Sequence, residues 1–175
     1  MYLNLHSCRD IVPRELEFLT EEAKRNLDLN RNIFIQYKTF PDGKTAKTNT
    51  EWHTLQPQFS HKATFPVLLT DENVSKMKKF GFTFEVWDTL SPNKNQLIGF
   101  VRIACEVFSR AMVTEEGHFN TTFFKNESLY PSVAHDGLVE VKGLDGTGIG
   151  WLKLTLAFGS PGQVNRFVQM QEERE

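Results

Sequence analysis

The sequence predicts an all-β domain, an antiparallel β-sandwich of about eight strands, and three observations point to it. Fifteen Phe and three Trp fall mostly in short runs of alternating polarity, which is how a strand reads when it buries one face. Turn chemistry separates these runs. Helical periodicity is confined to local segments, whereas a parallel sheet would need a helix between successive strands.

Taken in order, Tyr2 to Ile11 opens the chain, with Tyr2, Asn4 and His6 alternating against Leu3 and Leu5. A second run covers Ile33 to Phe40. Between them Leu16, Leu19, Ala23 and Leu27 recur every three to four residues, with Pro13 near the start and acids at positions 15, 17, 21 and 22, so the first loop is expected to carry a helix. Pro41-Asp42-Gly43 reverses the chain: Pro presets φ and Gly accepts a positive one. Phe59, His61, Ala63, Phe65 and Val67 alternate with polar or small residues, and Phe80 to Asp88 repeats the pattern with Phe82, Phe84 and Val86 on one face. Leu97 to Val107 is the next strand.

Thr114 to Asp136 is irregular, Phe-containing and long for a plain connection, so it is either functional or folded back over a sheet edge. Gly143 to Gly150 is read as a hairpin turn into the closing strand, where Trp151, Lys153 and Thr155 alternate with Leu152, Leu154 and Leu156. Gly159-Ser160-Pro161-Gly162 is read as a flexible strand exit, after which Val164, Phe167 and Val168 recur at helical spacing. The expected division is a sandwich over 1–160 and a short C-terminal helical extension over 161–175.

Composition narrows the function. The 175 residues carry 20 Lys plus Arg against 22 Asp plus Glu, so no global charge drives the molecule onto nucleic acid or an anionic membrane. Cys8 and Cys105 lie in apolar runs and are read as reduced, buried thiols. No run approaches the length needed to span a bilayer, and the chain reads as soluble and intracellular. In that setting the glycosylation-like triplets at Asn73, Asn120 and Asn126 carry no weight.

Catalysis would need a nucleophile with its base, tuned carboxylates or a metal cluster. His6, His53, His61, His118 and His135 are scattered, and neither cysteine belongs to a CxxC, so zinc is not expected. The run Gly143-Leu144-Asp145-Gly146-Thr147-Gly148-Ile149-Gly150 leads into a strand rather than a helix, and the Gly159 stretch lacks a Lys-Ser/Thr pair, so neither is a phosphate loop. The chain is read as a non-enzyme without cofactor or metal.

Phe84-Glu85-Val86-Trp87-Asp88, followed by Leu97-Ile98-Gly99, resembles the third-loop region of C2 domains, in which a hydrophobic-Trp-Asp strand end leads to an Ile-Gly strand start. Asn32-Ile33-Phe34-Ile35-Gln36-Tyr37 resembles their "DPYVKV" strand and Thr54-Leu55-Gln56-Pro57-Gln58-Phe59 their "TLNPVWNE" turn, in the same order. The resemblance covers roughly positions 1–160 and implies a C2-type sandwich. The stretch Gly81 to Phe108 and the ending Gly150 to Ser160 with Gln163-Val164 are similar to C2 domains of the centriolar C2 domain-containing protein 3 family. That similarity implies a scaffold role in centriole assembly and cilium formation, in the cytoplasm at the centrosome, centriole and basal body, with microtubules or centriolar proteins as partners.

The departures bear on mechanism. C2 domains that bind calcium supply about five loop aspartates toward the six to eight oxygens the ion takes. Here Asp88 matches one of them, while Leu90, Gln96 and Asn32 stand where acids are expected. Asp28 adds at most a second acid. A lone surface carboxylate does not offset the dehydration of a divalent ion, so no calcium site is expected. The partner surface expected from the lysines is Lys44 and Lys47 on the hairpin strand with Lys76, Lys78 and Lys79 before the Phe80 strand, suited to acidic tubulin. The alternative is peripheral membrane binding, with the same lysines meeting phosphoinositides.

Overall fold

The computed structural model describes residues 1–15, 21–26, 29–39, 43–105 and 131–174. Its elements are β1 (Tyr2–Arg9), α1 (Glu21–Asn26), β2 (Arg31–Thr39), β3 (Lys44–Lys47), β4 (Glu51–Thr54), β5 (Gln58–Thr64), α2 (Asp71–Phe80), β6 (Phe82–Ser91), β7 (Lys94–Ile103), β8 (Ser132–Gly143), β9 (Gly148–Phe158) and α3 (Pro161–Glu172). All pairings are antiparallel. The strands follow one path, β3-β2-β6-β7-β8-β9-β1-β5, with β4 beside β2.

That path curls into the two leaves of a sandwich at a narrow corner. β7 and β8 share only two residue pairs, Gly99 with Gly143 and Phe100 with Lys142. A Cβ on Gly99 would lie 2.6 Å from the Lys142 carbonyl oxygen and 2.7 Å from Ile149 Cδ1, so only glycine lets the backbones approach there. The Ile-Gly strand start thus serves closure of the sandwich.

Alternation fills the space between the leaves. Ile33, Ile35, Phe84, Val86 and Val101 from one leaf meet Leu3, Leu5, Leu152, Leu154 and Leu156 from the other in a single cluster. Burying such a side chain contributes about 1.5–3 kcal/mol. Phe82, Phe84 and Val86 all face inward while Thr83 is exposed, as the alternation predicts. Both cysteines are free and buried. Burial pushes the Cys105 thiol up to about 12 and the Cys8 thiol higher still.

The structure corrects two readings. The Gly159 stretch is a capped helix start: Gln163 N donates to Ser160 Oγ (3.3 Å) and Ser160 N donates to Gln163 Oε1 (2.8 Å), a capping box with Pro161 in the first turn. The resulting α3 buries Val164 and sets Phe167 against Tyr2, with ring centroids 6.1 Å apart. Tyr2, which alternates with the core leucines Leu3 and Leu5, is buried together with Asn4. Finally, β8 begins at Ser132, inside the segment expected to be irregular. A register shift between Val133 and His135 and Gly137 at φ 138° interrupt its alternation, which hid the strand. Most of that long segment, together with Leu16, Leu19, Leu27, Asp28, Pro41 and Asp42, lies outside the described residues. α1 falls within the stretch expected to be helical.

Candidate functional site

Asp88 follows Phe82, Phe84 and Val86 on the inward phase of β6, so alternation carries a carboxylate into the interior at the loop end of the sandwich. It is fully buried, which corrects its reading as a surface acid. Burial of an isolated charge is costly unless it is paired and hydrogen-bonded. Arg14 donates to both oxygens, Nε to Oδ2 at 2.9 Å and Nη2 to Oδ1 at 2.7 Å. Arg31 Nη1 donates to Oδ2 at 3.0 Å, and the Asn32 backbone N–H donates to Oδ1 at 2.9 Å.

Arg31 also donates to the Val12 and Pro13 carbonyls, at 2.7 and 3.0 Å. One guanidinium thus ties the first loop to β6. Burial pulls its pKa down, and Asp88 pushes back. Asn32 staples β2 to both neighbours: its Nδ2 donates to the Thr89 carbonyl and its Oδ1 accepts from His53 N. Gln96 pairs with Asp88 across the β6–β7 ladder, and only Pro92 and Asn93 form the turn between those strands. Among the described residues no three His, Cys, Asp or Glu side chains are grouped so as to hold a metal ion. Two guanidinium groups, those of Arg14 and Arg31, thus neutralise the Asp88 carboxylate.

A second feature lies on the outward phase of β2 and β6. Phe34 stacks on Trp87, centroids 6.3 Å apart and planes at 6°, and Lys47 Nζ sits 5.5 Å from the Phe34 centroid. Glu85 accepts from Trp87 Nε1 and Gln36 Nε2, each at 3.0 Å. Beside them a cavity of about 230 Å³ is lined by Gln36, Lys38, Thr45, Phe80, Thr83 and Glu85. Phe80 is 57% exposed, and Lys79 Nζ lies 5.2 Å from its ring centroid.

The expected lysines are therefore only partly brought together. β3, with Lys44 and Lys47, and the end of α2, with Lys79, meet at that cavity, since Thr45 and Phe80 both line it. Lys78 is exposed on α2. Lys76 is committed to Glu72 one turn away at 2.6 Å. Sequence reasoning missed Phe34, Trp87, Phe80 and Lys38 as members of this face. The signal was an aromatic on the polar phase of each strand: Phe34 with Gln36 and Lys38, Trp87 with Thr83 and Glu85.

A sequence-family model described as "C2 domain" matches residues 1–123. The chain belongs to the C2 domain family. C2 domain-containing protein 3 from Xenopus tropicalis is 26% identical over 144 residues, 81% of this chain but 6% of that protein's length. Among solved structures, a C2 domain of plant Extended Synaptotagmin 1 superposes with a TM-score of 0.52 at 12% identity, covering 88% of each chain. A structure holding two C2 domains of Extended-Synaptotagmin 2 gives 0.53 at 12% identity, over 88% of this chain and 39% of that one. At such identities the likeness to solved structures speaks for the C2 fold alone.

Proposed function

We propose that this C2 domain is a non-catalytic, calcium-independent interaction module of a centriolar or ciliary scaffold, acting in centriole assembly and cilium formation by binding microtubules or centriolar proteins. The observation that carries the reading is Asp88, whose two oxygens already accept four hydrogen bonds, three of them from arginines. The centriolar setting rests on the resemblance of Gly81 to Phe108 and Gly150 to Ser160 to the centriolar C2 domain-containing protein 3 family, in keeping with the 26% identity to a protein of that name. The surface assigned to the partner is the lysine-bearing edge around β3 and the end of α2, Lys44, Lys47, Lys78 and Lys79, with Lys76 a minor member because Glu72 neutralises it.

Microtubule co-sedimentation with chelator or with calcium tests this. The domain pellets equally in both, and binding falls as salt shortens the Debye length from about 10 Å at 0.1 M toward 3 Å at 1 M. Lys47→Glu with Lys79→Glu removes most binding and leaves the unfolding free energy within the range of ordinary surface changes, about 0.5 kcal/mol. Lys76→Glu has a smaller effect. Calcium-dependent pelleting, or a calcium-induced rise in melting temperature that chelator reverses, would refute calcium independence.

A second reading, peripheral binding to phosphoinositide membranes, is favoured by Lys47, whose Nζ lies above the ring of the buried Phe34. Glu85 at the centre of that face weighs against an anionic headgroup. Liposome sedimentation with and without anionic lipid separates the two.

A further inference from the structure

The chain contains two Ser-Pro dipeptides, Ser91-Pro92 and Ser160-Pro161, and no Thr-Pro. Proline after serine holds the serine in extended backbone and offers no N–H of its own, the geometry that proline-directed protein kinases accept. A cation three residues beyond the acceptor strengthens such recognition through a charge-assisted contact. Lys94 stands at that position after Ser91, whereas Gln163 stands there after Ser160.

The fold separates the two serines further. Ser160 is the N-cap of α3, with its hydroxyl accepting from Gln163 N and its own N–H given to Gln163 Oε1. Moving it into a kinase cleft would dismantle the capping box and unseat the buried Val164 and Gln163. Ser91, Pro92, Asn93 and Lys94 are all exposed, at the tip of the β6–β7 hairpin. Ser91 pairs with Lys94, and a register irregularity between Thr89 and Ser91 separates that terminal pair from the rest of the ladder. Opening the tip gives up one pair and leaves the buried Asp88 and Thr89 in place.

We infer that Ser91 is a phosphoacceptor for proline-directed serine/threonine kinases, and that the fold shields Ser160 from them. In the transfer, Ser91 Oγ bonds to the γ-phosphorus of Mg-ATP, the bond from that phosphorus to the bridging oxygen breaks, ADP leaves with the electron pair, and the hydroxyl proton passes to the kinase's base. The product places a near-dianionic phosphate opposite Lys94 in the terminal pair. Phosphorylation then changes the charge of the loop end and keeps the hairpin.

The test incubates the 175-residue chain with a cyclin-dependent-class kinase and Mg-ATP, followed by intact-mass measurement and peptide mapping. The expected result is one phosphoryl group, on Ser91, absent from Ser91→Ala. Lys94→Ala slows transfer about tenfold by removing one charge-assisted contact, while its melting temperature stays near that of the parent. The inference is overturned if the folded chain takes no phosphate while a control substrate is modified, if Ser160 is modified as fast as Ser91, or if Lys94→Ala leaves the rate unchanged.

Discussion

Replacing Asp88 by Asn removes a charge and keeps the shape, so it isolates the electrostatic role of the loop-end cluster. In either amide orientation one carboxylate oxygen becomes an NH2 group, and two of the four donors around it, at least one of them a guanidinium nitrogen, lose their acceptor. Arg14 and Arg31, each with a side chain 10% exposed, are left without their shared counter-ion. Removing one partner of a buried pair costs about 3–5 kcal/mol, in line with roughly 1.5–3 kcal/mol for each hydrogen bond to a charged group. For a chain of this size about 4 kcal/mol corresponds to a melting temperature roughly 8–16 °C lower. Urea and thermal unfolding measure it. Adding Arg14→Met to Asp88→Asn relieves one uncompensated charge, so the double variant should be more stable than Asp88→Asn alone. A loss below about 1 kcal/mol for Asp88→Asn, the range of an exposed pair, would refute the argument. So would a double variant less stable than the single.

Two further predictions concern the interior. Phe84→Ala should cost about 3–5 kcal/mol through lost burial and a residual cavity, and Thr83→Ala on the outward face much less; equal shifts in urea midpoint would contradict the register. His61 shares a 2.9 Å hydrogen bond with the Tyr37 hydroxyl between the leaves, and burial lowers the His61 pKa below 6.5 while raising Tyr37 to about 12. With the folded value below the unfolded one, the stability His61 contributes is present above pH 6.5 and lost as pH falls from there through the folded value. Unfolding free energies from about pH 7.5 to 5 should therefore drop more steeply for the parent than for His61→Gln, and parallel profiles would remove His61 from the acid response.

What could be read from the chain by itself follows from local physics. Period-two alternation along Phe82 to Val86 and Leu152 to Leu156 set which faces turn inward, because a strand's side chains must alternate. The Trp-Asp and Ile-Gly motifs carried the family resemblance. Strands whose pattern is interrupted were not legible: β8 is broken by a bulge and by Gly137, and β4, four residues long, contains His53 at φ 52°. α2 presents only Val74 and Met77 inward, too few for a periodic signal.

The state of Asp88 was decided by tertiary structure alone. Its sequence neighbours suggest a loop acid, but its partners Arg14 and Arg31 lie 74 and 57 residues away, brought to it by the first loop and β2. The outward aromatic face has the same origin: Phe34 and Trp87 stack only because β2 pairs with β6 in the register that sets them opposite each other. Alternation is a property of adjacent residues and survives in the sequence. The neutralisation of a buried charge depends on which distant strands meet, and only the closed sandwich specifies that.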